Sequence, residues 1–180
     1  NNLEKTSGFI KLYYIGPMFR LERPQKGRLR QFHHIGAEAI GSALAILDVE
    51  VISLVVQLLK NFGITGYKIQ INSLGCPKDK QALSVDLKRC LQAKLIQLCA
   101  DCQLRAKNNV FRILDCKKEN CQKIVKTLKT RNTHLCPDCL EHFEEVKYGL
   151  DNLGILFQVE PQLVRGLDYY SKTVFEWTTD

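Results

Sequence analysis

Two stretches of this sequence space arginine, glutamate and aromatic residues in a way suited to a phosphorylated ligand. At a period of two, Arg20 and Glu22 share one face of an extended segment. Arg30, Phe32, His34 and Glu38 share a face of the next. Such a face makes a poor core, because unpaired buried charge is costly; it is either exposed or a ligand site. Arg23, Lys26, Arg28 and Arg30 cluster around the turn Pro24-Gln25-Lys26-Gly27. Phosphates bound there would meet several cations, and guanidinium groups grip them in a bidentate fork. The plainer alternative is an exposed hairpin laced with cross-strand ion pairs. In the second stretch, Leu163 to Glu176, Arg165, Tyr169 and Tyr170 stand close to Gly166. On its own this is equally well a β-strand with aromatic packing and a glycine bend.

Cysteine is the third source of chemistry. Cys99-x-x-Cys102 and Cys136-x-x-Cys139 are two knuckle-like pairs, each offering two thiolates at a spacing that suits tetrahedral Zn²⁺. The first choice for a structural zinc is therefore Cys99, Cys102, Cys136 and Cys139. Cys116 and Cys121 are the reserve, and His142 is a further candidate. Buried thiols are the competing reading, because free cysteine packs like a small apolar residue. Cys76 and Cys90 are read as packing residues. Disulfides are disfavoured, because no secretion leader opens the chain and paired Cys-x-x-Cys spacing in a reducing compartment argues for metal or buried thiols.

The elements that must position these groups follow from periodicity. Phe9 to Ile15 reads as a strand, Gly16-Pro17 interrupts it, and Met18 to Arg23 continues it. With Arg30 to Ile40 returning, this is a long antiparallel hairpin with a basic tip. A helix is expected from about Asp48 to Phe62, with Val49, Ile52, Val56 and Leu59 on one stripe and Gly63 as its stop. Tyr67 to Ile71 alternates as a strand, and a second helix runs from Lys78 to about Leu98. The Cys-rich lobe follows, then a helix from about Leu140 to Leu153 that stops at Gly154. Ile155 to Val159 and Leu163 to Thr179 read as strands separated by Pro161. Without a βαβ rhythm, the fold class is α+β on a mainly antiparallel sheet.

The chain has 180 residues, 45% of them apolar, enough for one ordinary core and a small inserted lobe. The longest apolar stretch, around Val51 to Leu59, is too short to span a bilayer, so the expectation is a soluble, cytoplasmic protein. From Lys78 to Arg131 there are 14 Lys or Arg against 5 Asp or Glu, a net of +9, while the whole chain carries +7. Positive charge is thus concentrated in one middle segment, as binding to a phosphate backbone requires, or as a solvated lysine-rich helical surface would give. The chain opens at Asn1 and stops at Asp180 straight after the β-prone run Thr173 to Thr179. A domain rarely ends inside an unpaired strand, so an internal piece of a longer protein is expected.

Two runs carry a family resemblance. Phe19-Arg20-Leu21-Glu22-Arg23-Pro24-Gln25-Lys26-Gly27-Arg28, continuing as Arg30-Gln31-Phe32-His33 and Gly36-x-Glu38, closely resembles motif 2 of class II aminoacyl-tRNA synthetases in its histidyl form. Arg165-Gly166-Leu167-Asp168-Tyr169-Tyr170 is similar to the histidine-binding peptide of histidyl-tRNA synthetases. Phe111-Arg112-Ile113-Leu114-Asp115-Cys116-Lys117 looks like a bacterial version of that family's insertion domain. The resemblance covers nearly the whole chain.

It implies the incomplete antiparallel core of a class II catalytic domain. Residues 1–76 would be its first part, 77–153 a basic, Cys-rich helical insertion, and 154–180 its second part. It implies a ligase that activates histidine with ATP and Mg²⁺ and charges tRNA(His), working as a homodimer at full length. Arg20 and Arg165 would hold the α-phosphate as catalytic groups. Glu22 would meet the adenine end, Phe32 would stack on the base, and Arg28 would belong to the ATP site. His34, Glu38, Arg165, Tyr169 and Tyr170 would hold histidine, and the insertion would approach the tRNA acceptor arm. Where the family usually has glutamine after His33, this chain has His34, whose charge would depend on pH near neutrality. Motifs 1 and 3 and the anticodon-binding domain are missing, so this piece alone would be inactive. Two alternatives remain open at this point: a histidine-binding regulatory subunit of ATP phosphoribosyltransferase, and a non-catalytic RNA-binding zinc module.

Overall fold

A computed structural model describes residues 8–21, 28–128, 134–165 and 169–179. Strand β1 (Ile10–Phe19) pairs antiparallel with β2 (Gln31–Ile40), from Ile10 opposite Ile40 to Phe19 opposite Gln31. The expected break at Gly16-Pro17 does not occur, and the reason is register. The Arg20 N–H donates to the Arg30 carbonyl at 2.8 Å. Hydrogen-bonded pairs therefore fall at even positions of β1, and Pro17, opposite His33, sits where a backbone N–H would point away from β2. Proline costs this two-stranded ladder nothing.

Helix α1 (Ala45–Asn61) starts three residues earlier than periodicity suggests. It ends where Gly63 turns the chain at φ +68°, with its N–H on the Lys60 carbonyl. Strand β3 (Lys68–Ser73) is followed by α2 (Pro77–Gln92). Pro77 occupies the first turn of α2, where its missing N–H has no consequence. The helix expected to reach Leu98 stops at Gln92; a short 3₁₀ turn, Leu95–Gln97, follows. Then come α3 (Ala100–Asn108), α4 (Phe111–Leu114), α5 (Glu119–Lys126) and α6 (Pro137–Asn152). The last two strands are shorter than expected: β4 is Gln158–Val159 and β5 is Thr173–Thr178.

The three-stranded sheet has the order β4-β3-β5, with β5 antiparallel and β4 parallel to β3. Its helix-facing side and helices α1 and α6 share one core of Ala45, Val49, Ile52, Ile69, Ile71, Phe143, Val146 and Leu150. Gly149 lets α6 approach α1 closely, since a Cβ there would come within 2.7 Å of Val49. Although α6 lies within the span 77–153 read as inserted, its apolar stripe is part of this core. A second core of Leu83, Leu87, Leu91, Leu98, Val110, Ile113, Ile124 and four cysteines is built by α2 to α5 alone. Alternation in β3 sends Ile69 and Ile71 to the helices, and Gln70 and Asn72 to the opposite face beside Glu176 and Val174 of β5.

Candidate active site

Along β2, Phe32, His34 and Glu38 lie on one face without an intervening bulge, opposite Met18, Gly16 and Leu12 of β1. The Arg20 guanidinium carbon stands 3.8 Å from the centroid of the Phe32 ring. Stacked like this, the cation loses little freedom when a ligand arrives. Tyr14 packs edge-on against His34, centroids 5.2 Å apart and planes at 83°. The Tyr14 ring lies across Gly36, where an added Cβ would meet its Cζ at 2.0 Å. Gly36 is therefore required by the aromatic residue opposite it, a contact that sequence reasoning missed. A Gly two residues after a polar aromatic and two before a carboxylate was the only available signal.

The second arm of the site comes from the segment leading into β5. Tyr169 and Tyr170 stack with centroids 5.0 Å apart, and the Arg165 guanidinium lies 5.9 Å from the Tyr170 ring. Arg165 also approaches Glu176 of β5, Nη1 to Oε1 at 3.9 Å. The Tyr169 phenol is raised above its ordinary range by partial desolvation, then by Tyr170 and by the negative charge of Glu38. His34, Glu38, Arg165 and Tyr169 are exposed, so this face is open to solvent. Arg28 is exposed, whereas Glu22, Arg23, the expected turn Pro24-Gln25-Lys26-Gly27 and the stretch Gly166-Leu167-Asp168 lie outside the described residues.

Three residues position this second arm, and none was singled out from sequence. Asn72, 2% exposed, donates from Nδ2 to the carbonyls of Pro161 at 3.2 Å and Leu163 at 3.0 Å, two residues before Arg165. Lys80, in the first turn of α2, donates to the Tyr170 carbonyl at 2.9 Å. Lys172 takes a left-handed conformation, φ 54°. Its carbonyl accepts from the Leu74 N–H at 2.8 Å and its N–H donates to the Gly75 carbonyl at 2.9 Å. Those two bonds hold a backbone geometry that a lysine otherwise avoids.

A cavity of about 1050 Å³ opens elsewhere, between the other face of the hairpin and α1. Of the candidate ligand residues it touches Glu38 alone; Tyr13, Ala37, Val56, Ile64 and Ile155 make it mainly apolar. The stacked cations, carboxylates and aromatic rings mark the other face as the chemical one.

The cysteines do not group as their spacing suggests. Cys99 and Cys102 gather with Cys116 and Cys121, and the four sulfurs lie within 4.8 Å of one another. Cys136 and Cys139 gather instead with Cys76 and Asp79. The two Cys-x-x-Cys pairs thus belong to separate groups, because α6 packs on the sheet core while α3 belongs to the helical lobe. In the second group Asp79 is already engaged. It accepts from the Cys76 N–H with Oδ2 and from the Cys136 N–H with Oδ1, both at 3.1 Å, capping α2 and α6 together. Burial would raise the Asp79 carboxyl, but bonds from the Cys139 thiol and from Cys76 and Cys136 outweigh it and hold it below its ordinary range. Cys139 is pushed up to about 12, first by burial and then by Asp79. In the first group the Cys102 N–H lowers the Cys99 thiol to about 7 against desolvation, with further help from the neighbouring thiols. Burial raises Cys102 and Cys121.

The family model for histidyl-tRNA synthetases matches residues 1–179. The histidine–tRNA ligase of Solibacter usitatus is 51% identical over 176 residues, covering 98% of this chain and 42% of that protein. The Halothermothrix orenii enzyme of the same name is 50% identical over 166 residues, covering 92% of this chain and 40% of its own length. The chain thus spans about two fifths of the curated relatives it matches. Among solved structures, apo histidyl-tRNA synthetase from S. aureus superposes with a TM-score of 0.69 at 34% identity, over 93% of this chain and 38% of that one. A Bacillus halodurans structure named as an ATP phosphoribosyltransferase regulatory subunit/histidyl-tRNA synthetase shares the fold at 17% identity, TM-score 0.61, over 95% of this chain and 48% of its own. With a family match from end to end and half of all residues identical to these ligases, the chain belongs to the histidyl-tRNA synthetase family.

Proposed function

We propose that this chain is the central part of a histidine–tRNA ligase, and that the described face is where ATP and histidine meet. The observation that carries the reading is the stack of Arg20 on Phe32, guanidinium carbon 3.8 Å from the ring centroid, which sets a cation and an aromatic face together on the hairpin as a nucleotide site needs. One arm brings Arg20 and Phe32, the other Arg165 and Tyr170, so a nucleotide and an amino acid can be gripped side by side. ATP enters as its Mg²⁺ complex, with its base on Phe32 and its α-phosphate between Arg20 and Arg165. Glu22 and Arg28 serve the adenine end and the outer phosphates. Histidine lies between Glu38, His34, Tyr169 and Tyr170, with its carboxylate aimed in line at the α-phosphorus. Attack forms histidyl-adenylate and expels pyrophosphate; the tRNA hydroxyl then attacks the acyl carbon, the acyl–phosphate bond breaks, and AMP leaves. Positioning lowers the barrier, and the two guanidinium groups neutralise charge that grows on the phosphoryl oxygens.

The basic lobe built by α2 to α5 is the part that meets the tRNA phosphates, by the charge balance of +9 from Lys78 to Arg131. In this reading 77–153 is inserted between the two core parts, with α6 returning the chain to the core. The parent protein works in the cytoplasm as a homodimer. On the face of the hairpin that also borders the cavity beside α1, Tyr13, Ile15, Phe19 and Ile35 are exposed, an apolar strip suited to cover by a second copy or by the rest of the protein. No helix among the described residues is long and apolar enough to cross a membrane.

The test is ATP–pyrophosphate exchange by the full-length protein with each amino acid in turn. Exchange with histidine alone supports the ligase. Histidine binding without exchange would reassign the chain to the regulatory paralogues.

A further inference from the structure

The lobe formed by α2 to α5 has an unusual construction. Its helices α3, α4 and α5 have nine, four and eight residues, each too short to be stable alone. Among the residues of its core are four cysteines from three separate places: Cys99 and Cys102 at the start of α3, Cys116 after α4, and Cys121 in α5. Cys102 and Cys121 are 0% exposed and Cys116 is 7% exposed, so these thiols are directed inward. We propose that Cys99, Cys102, Cys116 and Cys121 bind one tetrahedral Zn²⁺ that staples α3, α4 and α5 together. This set replaces the pairing of Cys99 and Cys102 with Cys136 and Cys139 that spacing alone suggests.

Geometry carries the assignment. Four sulfurs on a zinc ion, each at about 2.3 Å, stand roughly 3.8 Å apart, and here all four already fall within 4.8 Å of one another. All four are free thiols, so no disulfide competes for them. An iron–sulfur cluster would hold its ligand sulfurs further apart, with iron and sulfide between them. The surroundings also suit a zinc tetrathiolate, which carries net negative charge. The Cys99 N–H donates to the Cys121 sulfur at 3.3 Å. Lys118, two residues after Cys116 in the chain, supplies a cation to this side of the lobe and is anchored by Asp101 at 3.3 Å. Such outer contacts orient thiolate ligands and offset their charge. The Cys76, Asp79, Cys136 and Cys139 group differs, because both Asp79 oxygens already cap helices.

The test is metal analysis of the purified full-length protein after extensive desalting, combined with zinc-edge X-ray absorption. The expected result is bound zinc with a shell of four sulfurs at about 2.3 Å. The double variant Cys102→Ser/Cys116→Ser should lose one equivalent per chain, while Cys90→Ser keeps it. Because the double variant removes core thiols and can fail to fold, the wild-type protein is also reconstituted with Co²⁺. Intense sulfur-to-cobalt charge-transfer bands with tetrahedral d–d bands support the site. Metal-free wild-type protein, a shell mixing oxygen with sulfur, or a double variant that keeps its full zinc each overturns it. Histidine-dependent exchange, measured on the same preparations, keeps this outcome distinct from that of the ligase reading.

Discussion

Lys80 of α2 and Tyr170 of the second arm are joined by a hydrogen bond of 2.9 Å from the ammonium to the backbone carbonyl. The bond connects the first turn of the helix that opens the basic lobe to the peptide that lines the candidate histidine pocket. A shift of α2 would therefore be transmitted to the proposed histidine site. In the full-length protein, Lys80→Met is expected to raise the KM for histidine about tenfold, the lower end for a charged donor because the bond is only half-buried. The KM for ATP and the melting temperature should change little. Steady-state exchange kinetics check this, and an unchanged histidine KM would show that Lys80 is only a surface contact.

In the proposed ATP site, Arg20 and Phe32 divide the nucleotide between them. Replacing Arg20 with Lys keeps the charge but loses both the fork and the stack on the ring. The exchange rate should fall by about 10²–10³-fold, as for loss of one donor to a charge that grows in the transition state. Phe32→Ala should instead raise the KM for ATP and leave that for histidine near its original value. Equal effects of the two variants on both substrates would count against the division.

Gly36 tests the packing that sets His34. An added methyl in Gly36→Ala would overlap the Tyr14 ring at 2.0 Å, which must swing away from His34. Weaker histidine binding is expected, measured by calorimetry. Adding Tyr14→Ala to this variant should recover part of the loss, since the overlap then disappears. A double variant no better than the single one would place the damage in the backbone.

His142 makes stability depend on pH. It is 8% exposed, and burial lowers it below its ordinary 6.5, assisted by Lys172 against the opposing pull of Asp48 and Glu145. Because its folded value lies below its unfolded one, the unfolded chain binds the proton first. The stability it contributes is thus present above about pH 6.5 and is lost as pH falls from there toward the folded value. Melting temperatures between pH 7.5 and 5.5 should decline, and the slope should be shallower in His142→Gln. Parallel slopes would assign the dependence to other groups.

Much of this was legible from local chemistry. Apolar residues at helical spacing, Val49, Ile52 and Val56, specified α1, and Gly63 and Gly154 marked helix ends, because only backbone conformation and one stripe of side chains were at stake. Period-two alternation placed Phe32, His34 and Glu38 on one face for the same reason. Pro17 misled, since whether proline breaks a strand depends on which side its nitrogen faces, and pairing register decides that.

What residue types and their order determined by themselves was the family, the two arms of the site and the basic middle segment, because each is written in contiguous residues. Only the tertiary structure decided what positions the second arm and which cysteines share a group. Lys80 and Tyr170 are far apart in the chain, as are Asn72 and Leu163, and sequence carries no measure of such distances. The Cys-x-x-Cys pairs look equivalent in the sequence, yet one starts a helix of the lobe and the other starts a helix packed on the sheet. A spacing rule describes ligands along one segment; the partner segment is chosen by how apolar faces pack, and that is settled only when the whole core closes.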